Sequence, residues 1–419
     1  MRCMLVIRRD PSGNIDISNI SPFRSLLLKQ YRSSHCAMSS PKVAFITGAN
    51  GITGSAVATH LCHHSDASEW SKIIITSRSP LTLPLEDPRL TFIALDFSKP
   101  VSELVQLMGT LCGEVTHAYF SSYVHKDDFA ELNQANEKLF ENFLEALCQV
   151  TNGTLQNVTL QTGGKHYQVH LMPVPSPARE EDSRREAALP NFYFPQEDCL
   201  LSKAEQHGFS WNVIRPEAII GCTHKPNGMN EALTIAMYLI VSAHLKQEAV
   251  MPTNQRYWEG TDDVSSAKAI ADLTIFASTK PEAGNQAFNV TNGDYFCWRY
   301  MWPRLAHFFG ADASEAYQFQ SPYPKEGDLQ LERSLAEWSK DKQAVWEEIC
   351  DKYDAPKAKA TWAYGTWAFQ DWVFQRTWSA TLSVSKARKF GWTYHVDSHD
   401  NFIETFAEMI QAGLIPKTR

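Results

Sequence analysis

The stretch PKVAFITGANGITG at 41–54 constrains this chain more than any other part of it. An apolar, β-branched run (Val43, Ala44, Phe45, Ile46) stops at Thr47-Gly48, and Gly48, Gly51 and Gly54 follow at three-residue steps. The run predicts a strand, and the residues from Ser55 to about His63 predict a helix. Strand, glycine turn and helix in this order let a backbone approach a pyrophosphate and set its charge on a helix N-terminus. A glycine triplet alone is weak, but a second strand at 72–76 closes a βαβ unit around it. Thr47, Gly48, Asn50, Gly51, Ile52 and Gly54 are therefore candidate cofactor contacts. A purely structural glycine turn is the competing reading.

At 419 residues the chain is long enough for one large α/β domain and an added lobe. A net charge of −8 without a basic stripe argues against a nucleic-acid partner. The nine cysteines form no CxxC pair, which points to a reducing, cytoplasmic setting. The apolar run at 3–7 is too short for a secretory signal, and Arg8-Arg9-Asp10 ends it. Residues 1–40 read as a flexible extension, with Met38 as an alternative start. The longest apolar stretch, 232–245, is too short and interrupted to span a bilayer. It reads as a buried helix with a face available to an apolar pocket.

Further strand-like runs occur at 90–95, 117–121, 158–161 and 211–214, and 133–147 reads as a crossover helix. The alternation predicts a doubly wound parallel α/β sheet of Rossmann type, its ligand crevice at the carboxyl ends of the strands. From about 296 the texture changes. Trp298, Trp302, Trp338, Trp346, Trp362, Trp367, Trp372 and Trp378 accumulate among charged helical segments. The expected organisation is an extension at 1–40, a nucleotide-binding domain at 41–295 and a mostly helical substrate-capping lobe at 296–419. Most of the tryptophans are expected in its core.

An NAD enzyme usually ends its second strand with an acid for the ribose 2′-hydroxyl. Here the residues are Thr76-Ser77-Arg78-Ser79, without one. Ser77 and Arg78 could hold a 2′-phosphate, because a guanidinium matches phosphate oxygens bidentately. The expected cofactor is NADP(H), against the plainer reading of Arg78 as a solvated surface arginine. Asp96, ending Phe92-Ile93-Ala94-Leu95-Asp96, is expected at the adenine, and Gln161 at the end of a central strand is a further contact.

The glycine spacing is that of short-chain dehydrogenases, which normally carry Tyr-x-x-x-Lys. One formal match exists, Tyr353 to Lys357, but Pro356 would break the helix that aligns such a pair. The tyrosine and lysine must then come from separate segments. QTGGKHY (161–167) offers Lys165 at a strand end, and NFYFPQED (191–198) offers Tyr193 at a helix start.

These two segments resemble the signatures of the progesterone 5β-reductase/iridoid synthase-like short-chain dehydrogenases, of extended type. IRPEAIIG (214–221), RYWEGTDDV (256–264), QAFNVTNGDYFCWRYMWPRLAHFFG (286–310) and VWEEI (345–349) are similar too. The resemblance implies Lys165 as catalytic lysine and Tyr193 as catalytic tyrosine. It also implies reduction of a carbon–carbon double bond conjugated to a carbonyl, with NADPH as hydride source, in a small hydrophobic substrate of secondary metabolism. Phe194 stands where the family often has tyrosine, Gly164 where arginine often occurs, and Glu217 in place of a glycine after Arg-Pro. The last two departures bear on substrate identity more than on chemistry. A 1,2-carbonyl reductase, a cyclase or a silent nucleotide sensor are the alternatives, and homodimer formation is an open expectation. His60, Cys62, His63 and His64 lack a complementary ligand group at a suitable spacing, so no metal is expected.

Overall fold

The computed structural model describes residues 40–419 apart from 127, 186, 188 and 226. Of the extension expected at 1–40, residues 1–39, Met38 among them, lie outside the described residues. The compact unit is Lys42–Arg419.

The apolar runs become strands and the segments between them helices. In chain order these are β1 (Lys42–Ile46), α1 (Ile52–His64), β2 (Trp70–Ser77), β3 (Leu90–Ala94), α2 (Val101–Met108) and β4 (His117–Phe120). α3 (Phe129–Thr151), β5 (Asn157–Gln161), α4 (Tyr193–His207) and β6 (Ser210–Pro216) follow. Next come β7 (Ile219–Ile220), α5 (Glu231–Leu245), α6 (Gln255–Glu259), β8 (Ser265–Ser266), α7 (Ala267–Thr279) and β9 (Gln286–Val290). The main sheet has the order β3-β2-β1-β4-β5-β6-β9 and is parallel throughout. Its first six positions are the doubly wound order, which puts a ligand crevice where β1 and β4 diverge.

Alternation along each strand sends side chains to opposite faces. Phe45, Ile74, Ala118 and Phe120 pack with Phe140, Phe143 and Leu147 of α3. Ala44, Ile46, Ile73 and Ile75 pack with Val57 and Leu61 of α1 and with Ala271 and Ile275 of α7. Asp128 caps α3, its side chain accepting from the Glu131 N–H. β9 was not among the expected strands; it pairs with β6 from Gln286 to Val290.

The C-terminal part is helical, as expected: α8 (Trp298–Phe309), α9 (Leu335–Trp338), α10 (Gln343–Lys352), α11 (Trp367–Phe374), α12 (Ser385–Lys389) and α13 (Ser398–Gln411). Its core draws on both sides of residue 296. Ile235, Met237 and Leu239 of α5 pack with Trp298, Trp302, Trp346, Phe374 and Phe402. α5 is buried from Glu231 through Ser242, so it is a core helix, covered on every side. Among the described residues no helix is long and apolar enough to cross a membrane.

Candidate active site

At the turn after β1 the chain is packed to contact. Gly48 has φ +68°, and a Cβ there would stand 2.9 Å from the Ser121 carbonyl oxygen. A Cβ on Gly54 would stand 2.3 Å from the Gly48 carbonyl oxygen, so the helix can lie this close only with glycine there. Thr47 ties the turn to the neighbouring strand end: its Oγ1 accepts from the Ser121 N–H at 3.0 Å, and the Ser121 hydroxyl donates to its carbonyl at 2.8 Å. The first turn of α1 carries no acidic residue to oppose an anion at its N-terminus.

Gly48, Asn50, Gly51, Ile52, Ser77, Arg78 and Gln161 all line one cavity of about 500 Å³ at the carboxyl ends of the strands. Thr47 and Gly54 do not line it; they shape the turn from behind. Asp96 stays outside as well. Its Oδ1 accepts from the Ser98 N–H at 3.0 Å, which closes a tight turn, and its neighbours Leu95 and Phe97 line the cavity instead.

Asn50 is a staple rather than a free donor. Its Nδ2 donates to Ser77 Oγ at 2.9 Å and its Oδ1 accepts from the Thr82 N–H at 3.0 Å, fixing the loop that carries Arg78. Arg78 is exposed on the cavity rim. Beside it stands Lys225, from the segment after β7, whose Nζ donates to Ser79 Oγ at 2.8 Å and to the Pro80 carbonyl at 2.7 Å. Thr76 Oγ1, Gln161 Oε1 and Thr162 Oγ1 are buried without a partner, and all three residues line the cavity. Glycine cradle, orphaned oxygens and two cations suit a phosphorylated, hydroxyl-rich dinucleotide.

Lys165 and Tyr193, far apart in sequence, line the same cavity. Asn191 joins their segments: its Nδ2 donates to the Lys165 carbonyl at 2.7 Å while its Oδ1 accepts from the Tyr193 N–H at 3.1 Å. Tyr193 opens α4, and Pro195 sits in the first turn, where its missing N–H is tolerated. The Tyr193 hydroxyl lies 3.5 Å from where a Cβ on Gly163 would stand. Burial pushes its phenol well above the usual range, so it remains a proton-bearing donor. Burial lowers the Lys165 ammonium while Glu217 opposes that shift; its Nζ lies 5.2 Å over the Trp372 ring.

The other residues of the two signature segments lock them together. Arg215 of β6 donates to both oxygens of Glu197, at 3.1 and 3.2 Å, and His166 Nδ1 stands 3.1 Å from Glu197. Burial opposes ionisation of Glu197, but His166 and Arg215 prevail and hold its carboxyl below the usual range. The Tyr167 hydroxyl donates to Asn289 of β9 at 2.6 Å. The Tyr353–Lys357 match has no such setting: α10 ends at Lys352 and Pro356 opens a 3-10 turn.

Apart from Glu217 and Trp372, the remaining wall was not singled out from sequence. Tyr123, Met229, Phe369, Trp372 and Val373 give it an apolar surface, and Glu217, Glu231 and Arg376 bring ionisable groups. A second cavity of about 670 Å³ shares Tyr123, Lys165, Met229, Phe369 and Trp372 with the first and adds Trp367. Of the C-terminal tryptophans, Trp298, Trp302 and Trp346 are fully buried core, as expected, whereas Trp367 and Trp372 face these cavities. Arg376 is already engaged: its Nη2 donates to the Tyr257 hydroxyl at 3.1 Å, and that hydroxyl donates to Asp262 at 2.6 Å. Glu217 had a local signal, as a departure from the resembled pattern, and Trp372 as one of the C-terminal tryptophans; the others are ordinary residues until the fold assembles them.

With this geometry in place, the chain belongs to a recognised family: residues 44–416 match the PRISE-like Rossmann-fold domain. It is similar to the short chain dehydrogenase gsfE of Penicillium aethiopicum, 59% identical over 90% of this chain and 100% of that one. It is also similar to the 3-oxo-Delta(4,5)-steroid 5-beta-reductase of Arabidopsis thaliana, 30% identical over 89% and 93% of the two chains. The (S)-8-oxocitronellyl enol synthase of Catharanthus roseus is 29% identical over 93% and 96%. In fold it is similar to the epimerase Mth375 of Methanothermobacter thermautotrophicus, at TM-score 0.60 and 14% identity over 94% and 98% of the two chains. The protein is an oxidoreductase of the short-chain dehydrogenase class.

Proposed function

We propose that the protein is an NADPH-dependent enone reductase that saturates the carbon–carbon double bond of an α,β-unsaturated carbonyl in a small hydrophobic molecule. The observation that carries this reading is Tyr193, a buried, proton-bearing phenol that shares a cavity wall with Lys165 at the carboxyl end of β5. The nicotinamide, when bound, supplies hydride to the β-carbon. Negative charge then builds on the carbonyl oxygen, and a donor aimed there stabilises the transition state more than the ground state. Tyr193 is that donor. Lys165 adds positive charge on the same wall and holds the ribose. The aromatic surface of Tyr123, Phe369 and Trp372 receives the apolar body of the substrate and excludes water. NADPH is favoured over NADH because Arg78 follows β2, Lys225 reaches Ser79 beside it, and no acid occupies the 2′-hydroxyl position.

The enol synthase and steroid reductase names among the relatives support an enone substrate. Tyr193 would equally serve direct carbonyl reduction or a reduction that ends in cyclisation, so product identification is part of the test. A nucleotide sensor would have no use for the Lys165–Tyr193 pair.

Purified protein is incubated with NADPH and a cyclic enone of low intrinsic reactivity, and the product is identified. Tyr193→Phe should lower kcat by roughly 10²–10³, with KM changed far less because the contact is made mainly in the transition state. Lys165→Met should lower kcat and weaken cofactor binding as well. Full activity of Tyr193→Phe on such a ketone would sink the assignment.

A further inference from the structure

The two departures noted in the sequence meet in space. A Cβ on Gly164 would stand 1.8 Å from Glu217 Oε2, so the Glu217 carboxyl fills the space that a larger residue 164 would take. Oε2 is buried without a hydrogen-bond partner, the residue lines the cavity with Lys165 and Tyr193, and its side chain is only 9% exposed. Oε1 stands 3.6 Å from Arg376 Nη1, longer than a hydrogen bond.

Six ionisable groups surround this carboxyl. Lys165 follows β5, Tyr193 opens α4, Glu231 opens α5, Asp262 and Asp263 precede β8, and Arg376 follows α11. Arg376 is shared with Tyr257 and Asp262, and Lys165 lies over Trp372. Acids thus outnumber the cations free to answer them. Burial raises Glu217 to about 8, Arg376 opposes, and Asp262 and Glu231 add to the rise. At neutral pH the group is a carboxylic acid with a proton to donate, the state that an apolar site can impose on a carboxyl.

We propose that Glu217 is a specificity-determining residue: its carboxyl donates a hydrogen bond to a ketone or ether oxygen of the ligand, so the cavity selects oxygenated molecules over hydrocarbons of the same shape. The inference rests on the substrate cavity assigned above and adds an oxygen-reading group beside Tyr193. A polar group desolvated by ligand without a partner is penalised, which is what rejects the hydrocarbon.

The test is equilibrium binding, so a failure of the enone chemistry would leave it untouched. NADP⁺-loaded full-length protein carrying Tyr193→Phe, which removes the phenol as a competing donor, is titrated calorimetrically with benzophenone and with diphenylmethane. These probes differ by a carbonyl oxygen in place of two hydrogens. The preference for benzophenone should be about five- to tenfold with Glu217. Glu217→Gln, which keeps a donor, should retain it, and Glu217→Leu should abolish it. With Glu217 the preference should fall as pH rises through about 8, because the donor form exists below that value, and with Glu217→Gln it should not.

Thermal unfolding gives a separate check on the proton. A carboxyl whose folded value lies above 4.5 contributes stability that is full below that pH and is lost as pH rises toward 8. Glu217→Gln should therefore gain in Tm relative to the parent from pH 5 to pH 8. Equal preference in Gln and Leu variants, absence of benzophenone binding, or a pH-independent Tm difference would overturn the proposal.

Discussion

The two ends of the cavity are built in opposite ways. At the cofactor end, Gly48, Gly51 and Gly54 lie within one short segment, and the constraints on them are backbone distances. At the substrate end, Tyr123, Glu217 and the pair Trp372 and Arg376 come from three distant segments, and the constraints are burial and charge. A backbone that must approach a pyrophosphate leaves a local trace, because only glycine tolerates it. A protonated carboxyl leaves none, because its state depends on neighbours that the fold supplies.

The hinge between the ends is Glu197, and the largest effect is expected there. Glu197→Ala leaves Arg215 buried without its partner, which should cost about 3–5 kcal/mol of stability in denaturant titration. A loss below about 1 kcal/mol would mean that apolar packing alone joins the segments of Lys165 and Tyr193. A sharper contrast comes from two small substitutions. Gly54→Ala drives a methyl into backbone 2.3 Å away and should cost about 1–3 kcal/mol together with NADPH affinity. Gly164→Ala meets only the movable end of Glu217, so fluorescence titration should find NADPH affinity within about twofold of the parent. Equal loss in both would erase the distinction between a backbone-built and a side-chain-built end. A smaller effect than at Gly54 is expected at the rim. Arg78→Ala and Lys225→Ala should each raise the KM for NADPH about fivefold, with little change for NADH. Equal changes with both cofactors would remove these cations from 2′-phosphate recognition.

Much of the fold could be read directly from the residues. The runs at 43–47, 72–76, 90–95, 117–121, 158–161 and 211–214 fall on β1 to β6: the inner strands are buried on both faces and so mostly apolar, and the half-exposed edge strand β3 still carries the apolar run LTFIA. β9 escaped because QAFNV is an edge strand, half-buried at Gln286 and Ala287, and merges with the aromatic stretch after it. The crossover helix proved longer than 133–147: it runs from Phe129, capped by Asp128, to Thr151. Asp96 follows the expected strand, yet one oxygen of its carboxylate accepts within a turn and the residue does not line the cavity, which position alone does not reveal.

The sequence by itself determined the sheet order's repeating unit, the glycine turn and the two segments that carry Lys165 and Tyr193. Each of these is a local demand, on periodicity, on φ or on a short contiguous pattern. Only the tertiary structure decided that Asn191 would tie those segments together. The same holds for Lys225 beside Ser79, and for Glu217 over Gly164 among more acids than free cations. Those outcomes depend on which distant groups exclude water from one another, and desolvation is a property of the packed molecule rather than of any segment.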